Sequence, residues 1–150
     1  EVLIMAEAHF NSEEKARIVQ AIQQAEVNTS GEVQVHIENR CKGDVMERAL
    51  AVFNILKLDK TALRNGVLFY LAIKDHKFAI LGDKGINDKV PHDFWDQIRD
   101  HMQNRFRQGE FTEGLCEGIK MAGEQLSAHF PFQNEDDINE LPDEISFGNN

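Results

Sequence analysis

Between Asn65 and Asp88 the chain gathers oxygen-bearing side chains around glycines. Asn65-Gly66 stands at one end of this stretch, and Gly82-Asp83-Lys84-Gly85-Ile86-Asn87-Asp88 at the other. Carboxylates, amide oxygens and backbone carbonyls are the ligands of hard cations, and calcium accepts them in a flexible geometry. Gly82 and Gly85 would let such a loop turn its carbonyls inward. Several carboxylates packed together without a cation disfavour one another's ionisation. The same residue types also build turns, because Asp and Asn bond their own backbone. Asn87 or Asp88 could equally cap a following helix. The spacing Asp-x-x-x-Asn-Asp does not match an EF-hand loop, so a cation site and plain turn chemistry both stay open.

The flanking elements decide whether these oxygens meet. Asn11 followed by Glu14 is a capping box, and Ala16, Ile18, Val19, Ile22 and Ala25 recur at helical spacing behind it. Asn28-Thr29-Ser30-Gly31 ends that helix. Val33, Val35 and Ile37 then alternate with Glu32, Gln34, His36 and Glu38, which predicts a strand. Gly43-Asp44 opens a second helix carrying Val45, Ala49, Val52, Phe53 and Leu56 on one side. Strand, helix, strand implies a right-handed crossover and parallel pairing. The second strand, residues 67–73, is apolar on both faces and so is expected to be covered on both. Lys74-Asp75-His76-Lys77 reads as a tight turn returning residues 78–81 antiparallel. With Lys74 opposite Lys77, Leu68 would lie beside Asp83, and Asn65 and Gly66 beside Gly85 and Ile86. A parallel first strand would begin at that same end, bringing Glu32 close. The candidate cation ligands are therefore Asp83, Asp88, Asn87, Asn65 and Glu32.

Pro91 is expected in the first turn of a third helix, with Phe94, Trp95, Ile98, Met102 and Phe106 inward. After Gly109, a fourth helix starting at Thr112 or Glu113 carries Leu115, Ile119, Ala122 and Leu126. The predicted fold class is α/β, a three-layer α/β/α sandwich with a small mixed sheet and helices on both faces. Residues 1–10 are expected to form a lead, in part a cloning remnant. Residues 11–130 form one domain, and 131–150 an acidic, extended tail that Phe130, Phe132, Ile138 and Leu141 could pin to the body.

A net charge of −10, from 26 acidic and 16 basic residues, opposes nucleic-acid backbones and anionic lipid and suits cations or basic partners. Cys41 and Cys116 are too few for a disulfide framework. No apolar run has the length of a membrane span, and no signal peptide is visible. The expectation is a cytoplasmic monomer. Other chemistry finds little footing. Glu47 stands where a Cys-x5-Arg phosphatase loop beginning at Cys41 would need arginine, and there is no Walker loop. Hydrolysis would have to run through a bound metal. His92 and Asp96 have helical ligand spacing for zinc, but no second pair accompanies them. Arg48 and Arg64 are expected to pair with neighbouring acids.

Three short motifs carry a family resemblance: Thr29-Ser30-Gly31-Glu32-Val33, Arg64-Asn65-Gly66-Val67-Leu68, and the run from Phe78 through Gly82-Asp83 and Gly85 to Asp88. With Phe106-Arg107-Gln108-Gly109-Glu110-Phe111 they resemble the TPM domain family over roughly residues 10 to 130. The resemblance implies the same three-layer fold and a divalent-cation site, calcium foremost with magnesium as the alternative. Plant relatives are described as acid phosphatases in photosystem repair, while bacterial ones mostly lack an assigned reaction. Family members often carry a signal peptide and a C-terminal membrane helix, neither of which is expected here. The reading is a calcium-binding domain acting through an unidentified protein partner rather than an enzyme; the alternative is a metal-dependent acid phosphatase of low activity.

Overall fold

The computed structural model describes residues 5–131 and 143–148. Asn11 caps helix α1 (Ser12–Val27) with the full capping box, its side chain accepting from the Glu14 N–H and Glu14 reaching back. Strand β1 (Glu32–Glu38) follows, then α2 (Val45–Ile55), capped by Asp44. Strand β2 (Gly66–Ala72) runs parallel to β1, as the helical crossover requires. Strand β3 (Lys77–Gly82) returns antiparallel. The register differs from the expected one by two residues: Ala72 faces Lys77, and Val67 faces Gly82. The turn holds four residues, with His76 in the left-handed region at φ 54°. A two-residue displacement leaves every side chain on its expected face.

The chain then differs from expectation at Pro91. Residues 84–87 make a single helical turn, α3 (Lys84–Asn87), and the long helix α4 (Asp96–Arg107) begins only after Trp95. Helix α5 (Phe111–His129) starts one residue before the expected point. The tail contributes a fourth strand, β4 (Ser146–Phe147), parallel to β1, giving the order β3-β2-β1-β4. The expected pinning by Phe132, Ile138 and Leu141 lies outside the described residues. Phe130 is buried.

Two cores clamp the sheet. On one side α1, α4 and α5 bury Ile18, Ile22, Met102, Ile119 and Leu126 against Val33, Val35, Ile37, Val67, Phe69 and Leu71. On the other, Val52 and Phe53 of α2 meet Leu68, Tyr70 and Ala79. The result is the three-layer sandwich. The polar face of β1 is buried too: Glu32, Gln34, His36 and Glu38 are all under 8% exposed.

Candidate functional site

Parallel pairing sets Glu32 opposite Gly66, and the Glu32 N–H donates to the Asn65 carbonyl at 3.3 Å. The Asp83 N–H donates to the Gly66 carbonyl at 2.9 Å. Glu32, Asn65 and Asp83 thus share one end of the sheet, where β1 and β2 begin and β3 ends. Asn87 and Asp88 follow on α3 and its C-terminal cap.

Their side chains do different things. Asp83, buried, accepts from both Arg64 nitrogens, Nε at 2.6 Å and Nη2 at 2.9 Å, and from the Lys84 N–H at 2.8 Å. Its charge is already met by a guanidinium in bidentate geometry. Arg64 thereby finds the acid partner expected of it. The Asn87 amide nitrogen donates to the Gly82 carbonyl at 3.1 Å, and both Asn87 and Asp88 are exposed. Asn65 is 1% exposed; its Nδ2 donates to Ser30 Oγ at 3.3 Å, while its Oδ1 has no hydrogen-bond partner among the described residues. A buried acceptor left in that state costs about 1–3 kcal/mol.

Glu26, near the end of α1, joins this end without having been anticipated. It accepts the Val33 N–H at 2.8 Å. Burial pushes its carboxyl above the ordinary range, with Asp143 and Glu32 beside it raising it further. Glu26 follows Ile18 and Ile22 at four-residue spacing along the buried row of α1, six residues before Glu32, and no spacing rule joins the two carboxylates. Among the described residues, no three His, Cys, Asp or Glu side chains form a group able to hold a metal ion by themselves. His92 and Asp96 are both exposed.

A second polar cluster occupies the other end of β1. Glu38, fully buried, accepts from Arg48 Nε and Nη2, both at 2.8 Å, and from the Tyr70 hydroxyl. His36 Nε2 lies 3.0 Å from Glu38 Oε1, and Ser146 Oγ lies 2.8 Å from His36 Nδ1. Burial alone would raise the Glu38 carboxyl, but the bonds from Arg48, His36 and Tyr70 outweigh it and hold it at about 2. Serine, histidine and carboxylate in series have the connectivity of a nucleophile relay. Gly148 fills the space above it: a Cβ there would lie 2.7 Å from Glu38 Oε1. The cluster instead ties β4 to β1, helped by the Gly148 N–H bonding the Ile37 carbonyl and by Phe147 against Phe10. Sequence alternation marked these residues as one face of a strand and gave no sign of their mutual bonding.

The architecture is that of a small α/β/α domain with carboxylates and amides gathered where its parallel strands begin. The chain belongs to the TPM domain family, whose model matches residues 4–125. It is similar to the BA42 protein from the psychrophilic bacterium Bizionia argentinensis, solved by NMR: 52% identity, TM-score 0.87, covering 93% of this chain and 95% of that one. Two more distant structures share the fold. The N-terminal domain of a protein from P. gingivalis has 16% identity and TM-score 0.67, covering 84% of this chain and 83% of that one. The N-terminal domain of cg2496 from Corynebacterium glutamicum has 13% identity and TM-score 0.63, covering 78% and 74%. No curated protein matches. Among the described residues, no helix is long and apolar enough to cross a membrane.

Proposed function

We propose that this TPM domain is a cation-responsive binding module, taking one divalent ion where β1 and β2 begin and acting through a protein partner. The single observation that carries this is Asn65 Oδ1, a buried amide oxygen without a hydrogen-bond partner among the described residues, on the residue whose backbone carbonyl accepts the Glu32 N–H. Glu32 and Asn65 fit a hard cation by donor type, with backbone carbonyls and water completing the shell. Calcium suits this set better than magnesium because it tolerates irregular geometry and many neutral oxygens. For Asp83 to serve as well, the ion has to take the place of the Arg64 guanidinium. Asn87 and Asp88 are exposed and are reached only if the α3 turn closes over the ion. One carboxylate and one amide make a low-charge site, and the expected Kd is about 0.1–1 mM for calcium. The alternative, metal-assisted hydrolysis of phosphate esters, has no observation of its own in this geometry.

Backbone amide spectra recorded during calcium and magnesium titrations test the site. The expected response is saturable and local to residues 30–32 and 65, stronger for calcium, and lost in Glu32→Gln. A spectrum unchanged up to about 10 mM calcium, well past the weakest range such sites occupy, would rule the ion out. A response confined to residues 83–88 would move the site to the α3 turn and clear Glu32.

A further inference from the structure

At the opposite end of the sheet, beside the β2–β3 turn, a cavity of about 210 Å³ opens between the hairpin and the α4–α5 connection. Its making is local. Gly109, at φ +78°, reverses the chain after α4. The Gly109 N–H bonds the Phe106 carbonyl and the Glu110 N–H bonds the Arg105 carbonyl, a Schellman ending. That turn brings the Phe106 and Phe111 rings together at 5.6 Å with their planes 29° apart, while Phe78 from β3 meets Phe106 edge-on at 4.9 Å. Leu71 completes the apolar walls, and Arg107 and His76 stand at the rim.

Two properties separate this cavity from a packing defect. Its walls are aromatic and already braced by ring contacts, and the lining contains no carboxylate although the chain carries a net charge of −10. Arg107 is exposed and, among the described residues, makes no ion pair, whereas Arg17, Arg40, Arg48, Arg64, Arg99 and Arg105 all do. An apolar cavity of roughly 150 Å³ accommodates benzene. The extra volume here suits one ring carrying a small polar group. A guanidinium at the mouth selects an anion, and a planar carboxylate matches its fork.

We infer that this cavity is a binding site for a small single-ring aromatic carboxylate, the ring lying against the wall of Phe78, Phe106 and Phe111 and the carboxylate on Arg107. The site stands apart from the proposed cation site and depends on none of its residues. Phenylacetate is the probe and benzylamine, of similar shape and opposite charge, its control, each titrated into the full chain with amide and methyl signals followed. Phenylacetate is expected to shift Leu71, Phe78, Phe106 and Arg107 signals saturably with a Kd on the order of 1 mM, as its atom count allows. Benzylamine is expected to shift them little. Arg107→Met, at an exposed side chain without an ion pair, should leave the remaining spectrum unchanged and weaken phenylacetate at least about tenfold. Equal binding of the two probes, unchanged affinity in the variant, or no saturation by phenylacetate would each overturn the assignment.

Discussion

Replacing Arg48 with methionine isolates the physics of the buried Glu38 cluster. Glu38 has no exposed surface, and Arg48 supplies two of the hydrogen bonds that keep it ionised. Its carboxyl sits at about 2 in the fold against an ordinary value of 4.5. That gap corresponds to about 3 kcal/mol of stability at neutral pH. The sign follows from the direction: a depressed carboxyl contributes fully above 4.5 and loses its contribution as pH falls from there toward about 2. In the variant, burial dominates and the Glu38 carboxyl moves up. An uncompensated buried charge costs about 3–5 kcal/mol, and the lower end applies because the Arg48 side chain is 34% exposed and water can reach its place. The expected loss at pH 7 is therefore about 3 kcal/mol, read as a shift in the urea midpoint with unchanged slope. By pH 3 the difference between variant and parent should shrink by about 2 kcal/mol, since a protonated Glu38 needs no guanidinium. Adding Glu38→Gln to the variant should restore part of the loss at pH 7. A cost below about 1 kcal/mol at pH 7, or one that stays constant down to pH 3, would refute this account of the cluster.

Two further outcomes test the α3 turn by urea unfolding. Gly85→Ala places a Cβ 2.3 Å from the Leu63 carbonyl oxygen and 2.5 Å from that of Arg64, both main chain, so the backbone has to move. It should cost at least about 2 kcal/mol, and a cost below about 0.5 would show the turn to be pliable. Asp83→Ala removes the side-chain acceptor of the Lys84 N–H and should cost about 1–2 kcal/mol, whereas Asp83→Asn keeps an acceptor and should cost less. Equal costs would show that the Arg64 pairing, not the cap, is what Asp83 contributes.

Much of this molecule is legible along the chain because the relevant interactions are local. The Asn11–Glu14 box closes within one helical turn, so types and spacing suffice to place the start of α1. The apolar period of 2 in residues 33–37 marks a strand, and the helix between two strands settles their parallel sense through chain chirality. From these follows the meeting of Glu32, Asn65 and Asp83 at one end of the sheet. What the linear order could not carry was pairing between distant groups. Asp83 reads as a free ligand until Arg64 is seen lying across it. Asn65 reads as one candidate oxygen among several until burial strips water from it. Glu26 meets Glu32 only because the first helix lies over the edge of β1. The β2–β3 register depended on whether two or four residues make the turn, and local propensity for turns distinguishes these poorly. Pro91 is compatible with a helix start, yet α4 begins five residues later, where packing against α5 takes over. The acidic tail gave no strand signal, since β4 is two residues long and exists through bonds to Ile37 and His36. Sequence alone determined that α1, β1, α2, β2, β3 and α5 form and which ends of the first three strands coincide, because both follow from backbone periodicity and handedness. Only the tertiary structure decided which carboxylates are already held by a guanidinium, as Asp83 is by Arg64 and Glu38 by Arg48, because desolvation and ion pairing are properties of neighbours far away in the chain.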